Sequence, residues 1–120
     1  MIQLHQTVAT ALGLLMLLLG IWGLVMAIAK RSVGGSFRST YILSIGVFGL
    51  QAAIGLVLLI TGNRPRDTLH ILYGIVPFLA LGYAFGYSAK MPPRKESLTL
   101  GVACLFTFGL VLRACSTGAR

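Results

Sequence analysis

The sequence predicts an all-α integral membrane protein, a four-helix bundle running up-down-up-down and built as two duplicated helical hairpins. Three observations predict it. Charge is absent from four long stretches: Thr7–Ala29, Ser39–Asn63, Thr68–Ala89 and Ser97–Leu112. The chain is 57% hydrophobic and only 10% charged, too apolar for an ordinary soluble domain. Landmarks of the first half also recur in the second half, in the same order.

A bilayer core takes about 20 apolar residues as helix, with a usable range of roughly 17–25. The first span is expected over about 5–29. Ala27-Ile28-Ala29 looks like a signal-peptide processing site. Yet no basic residue precedes it, and Lys30 and Arg31 follow it, the reverse of a signal peptide, so the helix is expected to be retained. The second span is expected over about 39–62, after a loop carrying Lys30, Arg31 and Arg38, with Gln51 near its middle. The third is expected over about 68–89. Asp67 stands behind Pro65 and Arg66 where that helix begins, the usual place of an N-cap. Gly82 and Gly86 form a GxxxG pair within it. The fourth span, about 97–116, is short until Arg113 and reaches full length if that arginine sits near an interface and extends outward. Together the spans make one transmembrane domain over 1–120.

The loops after the first and third spans hold six basic residues, Lys30, Arg31, Arg38, Lys90, Arg94 and Lys95. The other side has Arg64, Arg66, Arg113 and Arg120. Positive charge marks the cytoplasmic side, so both termini are expected to be extracytoplasmic in a bacterial-type inner membrane. The net charge of +8 then reads as a topology and lipid-headgroup signal, with no nucleic-acid motif beside it. Cys104 and Cys115 are about 16 Å apart along one helix and cannot pair there, and the absence of a CxxC removes a thiol-oxidoreductase reading. Tyr41, Trp22 and Tyr87 on the inner side and Tyr73 on the outer read as aromatic belts.

The repeat consists of Leu4-His5 and Leu69-His70 at the openings of spans one and three, and GLVL from Gly55 and from Gly109 near the ends of spans two and four. Thr61-Gly62 and Thr117-Gly118 follow. Two hairpins of equal orientation are related by an axis along the membrane normal. The chain's only two histidines would then be one position used twice, at equal depth, facing that axis.

With neighbouring helices 8–10 Å apart, the diagonal of a square bundle is roughly 11–14 Å, about the gap filled by two imidazoles with an iron between them. The functional reading is a b-type haem with His5 and His70 as axial ligands to its iron. Ala9 and Gly74, each one turn below a histidine, leave clearance for a flat ring. Leu12, Met16, Pro77, Phe78 and Leu81 supply an apolar wall, with Gly46, Gly49, Gly101 and Gly109 allowing close approach from the flanks. Arg113, Arg64 and Arg66 stand at the outer rim as partners for haem propionates. The bland readings stay beside these: two interfacial histidines among headgroups, and an Arg113 that reaches to lipid phosphate. A metal ion held by Asp67, His70 and His5 is a third option, set against capping by Asp67. Gln51 and Thr107 either bond across the bundle or touch a quinone.

Paired histidines on spans one and three, with Gly74 and the four-span layout, resemble the small membrane-bound b-type cytochromes and one half of a haem A synthase. The resemblance extends over nearly the whole chain. It implies haem b as cofactor and quinone-linked electron transfer as the activity, with no hydrolase chemistry. Such cytochromes often hold two haems; this chain has histidines for one. The carboxylates and arginines of a haem-modifying site are missing, so no synthase activity is expected. The alternative is a haem-free accessory or assembly subunit of a larger membrane complex. A proton-coupled exporter is disfavoured because the expected spans contain no acidic residue.

Overall fold

The computed structural model describes residues 2–31, 33–62 and 69–118. Four helices make up nearly all of this: α1 (Ile2–Ile28), α2 (Gly34–Ile60), α3 (Leu69–Ser88) and α4 (Pro93–Gly118). All four are long and apolar enough to cross a membrane. The described body measures 48 × 21 × 20 Å, against roughly 40–45 Å for a bilayer with its headgroups.

Each helix is apolar on every side, as expected where one face meets protein and the other meets lipid tails. The inward face is set by packing. Leu12, Met16 and Leu19 on α1 meet Leu100, Cys104 and Val111 on α4, with Phe37, Tyr41 and Phe48 from α2 and Leu81 from α3 completing the core. Helix α4 packs extensively on both α1 and α3, and α2 rests more lightly on the same two. Among the described residues the backbones of α1 and α3 nowhere approach closely, nor do those of α2 and α4. The order around the ring is therefore α1, α2, α3, α4, with α1 and α3 across the diagonal.

The tightest seam is between α1 and α4. A Cβ added at Gly23 would stand 2.7 Å from the Gly101 Cα, and one added at Gly101 would stand 2.9 Å from the Leu24 amide nitrogen. Only glycines let these backbones meet. By contrast, Cβ atoms at Gly82 and Gly86 would meet nothing within 4 Å, so the GxxxG pair joins no helix of this chain among the described residues. Gly46 and Gly109 are likewise open, whereas Gly49 and Gly101 do sit against neighbours.

Three expectations need correction at the end of the bundle opposite the histidines. Arg38 is not in a loop: α2 starts at Gly34, five residues before the expected boundary, and carries Arg38 in its second turn. Helix α4 starts at Pro93 and not near 97, which puts Glu96 inside the fourth candidate span. The fourth candidate span therefore contains an acidic residue where none was expected. Both shifts have one cause. The Arg38 guanidinium grips the Glu96 carboxylate through Nη2 at 2.7 and 2.9 Å and Nε at 3.3 Å, so each charge neutralises the other and neither has to end its helix. Ser97 adds a second tie, its hydroxyl donating to the Arg31 carbonyl at 2.5 Å.

The third correction concerns Tyr41. It is wholly buried and takes no part in the expected inner-side belt; its hydroxyl donates to the Leu81 carbonyl at 2.8 Å and its ring stacks between Phe37 and Phe85. Its position near a helix end suggested an interface, but the inward side of α2 claims it. Trp22 packs edge-on against Phe37 while remaining 38% exposed, and Tyr83 and Tyr87 stack on the outside of α3. Helix α1 ends with Lys30 at φ +59°, its N–H donating to Ala27 and that of Arg31 to Met26. That is a Schellman close with lysine where glycine is the usual residue.

Candidate functional site

The N-terminal ends of α1 and α3 carry His5 and His70, and the C-terminal parts of α2 and α4 lie beside them. The two imidazoles face each other across the diagonal, ring centres 6.0 Å apart and planes at 67°. Both side chains are half-buried. Because the backbones of α1 and α3 stay apart among the described residues, this ring pair spans the diagonal at this end.

Each histidine is held by a different device. The His70 Nδ1 lies 2.8 Å from the Ala114 carbonyl on α4. A carbonyl oxygen only accepts, so the bond requires a proton on Nδ1 and leaves the lone pair on Nε2. His5 is held through its backbone: the Gln51 amide on α2 donates to the His5 carbonyl at 2.6 Å. One turn further along α2, Gly55 supports the ring itself, since a Cβ there would stand 3.3 Å from His5 Cε1. Gly55 entered the sequence reading only as part of a repeat. Its role depends on which face of α2 meets α1, and the apolar pattern of α2 carries no sign of that.

Among the described residues, three buried polar atoms at and below this site have no hydrogen-bond partner: His5 Nδ1, Gln51 Oε1 and Thr107 Oγ1. In a low-dielectric interior such groups are costly unless matched, and they concentrate where a ligand or water belongs. Thr107 is fully buried on α4, two turns below Ala114 on the same face.

The remaining expected residues are distributed unevenly. Ala9 is half-buried one turn below His5. Gly74 has open space where a side chain would stand. Of the apolar wall, Leu12, Met16, Pro77 and Leu81 are buried, whereas Phe78 is 38% exposed with its ring against Gly49. The Arg113 guanidinium lies 5.9 Å from the centre of the Tyr73 ring, a cation–π contact that joins α4 to α3 on the histidine side. Arg64, Arg66 and Asp67 lie outside the described residues, as does the Cys115 side chain. Among the described residues no group of three or more histidine, cysteine or carboxylate side chains could hold an ion. Cys104 is a buried free thiol in the core.

Chemically, the site offers two imidazoles from non-adjacent helices at a spacing that suits one shared ion. A metal–imidazole bond is about 2.0–2.1 Å, and each ring centre stands roughly 1.1 Å behind its nitrogen, so rings on opposite sides of one ion have centres about 6.3 Å apart. The observed 6.0 Å lies within a few tenths of that figure. No family model matches the chain, and neither a curated protein nor a solved structure is similar to it.

Proposed function

We propose that this chain is a membrane-embedded b-type haem protein that transfers electrons, with His5 and His70 as the axial ligands of one iron and quinone in the bilayer as a candidate redox partner. The observation that carries the reading is the contact of the two imidazoles, ring centres 6.0 Å apart and planes at 67°, from helices that stand across the diagonal of the bundle. The tautomer required at His70 supports it, because a lone pair on Nε2 is the form that ligates. The open position at Gly74 and the half-buried Ala9 fit a flat ring beside the histidines. Bound haem would supply a one-electron couple. The chain would supply the ligands, the apolar surround and, through Arg113, Arg64 and Arg66, charge for the propionates.

The same reading takes the bundle as up-down-up-down, duplicated, and seated in a bacterial-type inner membrane with both termini outside. The His5–His70 contact at one end and the Arg38–Glu96 pair at the other support the alternation. The duplication concerns the scaffold alone, since a side-chain amide serves His5 and a backbone carbonyl serves His70. A C-terminal reporter active only in the cytoplasm would refute the orientation.

A second reading, a haem-free accessory subunit of a membrane complex, draws on the open small-residue positions Gly46, Gly82, Gly86 and Gly109, which suit close packing by other helices. Titration of the purified protein in detergent with hemin separates the two. The haem reading expects saturation at one haem per chain, abolished by His5→Ala and by His70→Ala. Absence of saturable uptake leaves the accessory reading.

A further inference from the structure

The two histidines differ in one respect that the haem reading does not explain. His70 has a partner for its Nδ1 and His5 has none, although that atom is buried. Gln51 donates its amide N–H to the His5 backbone carbonyl at 2.6 Å, and among the described residues its amide oxygen is also buried without a partner. A donor site and an acceptor site are therefore both unmatched on two residues already in contact.

The amide cannot simply be reversed. Exchanging its oxygen and nitrogen would set Oε1 against the His5 carbonyl, acceptor against acceptor, so the nitrogen must face the backbone. Helix geometry holds the pair together. Gln51 and Gly55 are one turn apart on α2, so one face of that helix presents an amide to the His5 backbone and a bare glycine to its ring. The glycine lets the ring approach, and the glutamine is the polar side chain at that approach.

We propose that Gln51 is the positioning residue for His5: its amide oxygen accepts the proton of His5 Nδ1 through one bridging water. This fixes His5 in the tautomer that leaves the lone pair on Nε2. Gln51 thereby does with a side chain what the Ala114 carbonyl does for His70 with the backbone. A ring nitrogen bonded in this way is a more basic ligand at the opposite nitrogen, so Gln51 also influences the redox balance of the bound iron. The positioning claim concerns the chain's own tautomer, and only its redox consequence rests on the haem reading.

The test uses haem-free protein labelled with 15N-histidine, in detergent micelles, with long-range 1H–15N spectra reporting the protonated nitrogen of each ring. His5 and His70 are expected as Nδ1–H tautomers. In Gln51→Leu the His5 signals should move to a mixture or to Nε2–H while those of His70 stay in place. Gln51→Glu, whose protonated carboxyl keeps a donor for the His5 carbonyl and an acceptor oxygen, should restore the Nδ1–H form. In hemin-loaded protein, Gln51→Leu should weaken haem binding about 10-fold or more, and Gln51→Glu should retain binding. An unchanged His5 tautomer in Gln51→Leu, or an equal shift at His70, overturns the proposal. If wild-type protein takes up no haem while the His5 tautomer still follows Gln51, the positioning stands and the haem reading falls.

Discussion

The seam between α1 and α4 gives the sharpest perturbation of the fold. In Gly23→Ala the new Cβ would stand 2.7 Å from Gly101 Cα, 3.0 Å from Gly101 N and 3.1 Å from the Ser97 carbonyl oxygen. All three are backbone atoms, which cannot turn aside as a flexible side chain would. Ordinary carbon contacts begin near 3.5 Å, so the helices must separate by about 0.7–0.8 Å. A gap of that size forfeits a quarter to a half of the dispersion energy of the atoms along the seam. Overpacking of this kind costs roughly 1–3 kcal/mol, offset by up to about 1 kcal/mol from the better helix propensity of alanine. Net destabilisation of about 1–2 kcal/mol is expected. Gly82→Ala is the matched control, because its Cβ meets nothing within 4 Å; it should be neutral or slightly stabilising. Cys104 is fully buried, so its labelling by a thiol-reactive dye during a thermal ramp in mild detergent reports loss of the core. The assay is run in a Cys115→Ser background. Equal destabilisation by the two substitutions would refute the reasoning.

Other substitutions address the ends of the bundle. Glu96→Ala removes the carboxylate that grips the Arg38 guanidinium and should cost about 1–3 kcal/mol, less than a fully buried pair because Arg38 is 39% exposed. The double variant with Arg38→Ala should lose less than the two single losses added, which a double-mutant cycle on the same thiol assay measures. Lys30→Gly relieves a lysine held at φ +59° and should stabilise the protein by about 1 kcal/mol in that assay; a loss would mean the side chain serves a contact of its own. Gly55→Ala places a methyl 3.3 Å from His5 Cε1, so the ring must shift by a few tenths of an ångström. Its thermal midpoint should barely change while hemin affinity falls about 10-fold, read by titration.

The four spans were legible because the bilayer imposes a length and an apolar composition that four uncharged runs display directly. Their ends were not. Charge was read as a boundary, and the Arg38–Glu96 pair joins residues 58 apart in sequence, so its neutralisation leaves no local trace. Tyr41 and the glycines show the same limit. A tyrosine near a helix end and a GxxxG pair are standard signals for an interface and for helix contact. Which face of an all-round apolar helix turns inward is decided by packing, and that put Tyr41 in the core and left Gly82 and Gly86 open. The histidines were legible as a pair because two copies at matched positions needed no knowledge of helix faces. Their supports, Gln51, Gly55 and the Ala114 carbonyl, depended on rotations about the helix axes that apolar sequence does not encode.

The most direct measurement on the central claim is the dithionite-reduced minus oxidised optical spectrum of protein purified from haem-replete cells, taken for wild type and for each single histidine variant. One sharp b-type alpha band is expected in wild type, lost or converted to a five-coordinate form in His5→Ala and in His70→Ala alike. A featureless wild-type spectrum, or a low-spin band that survives removal of either histidine, would contradict it.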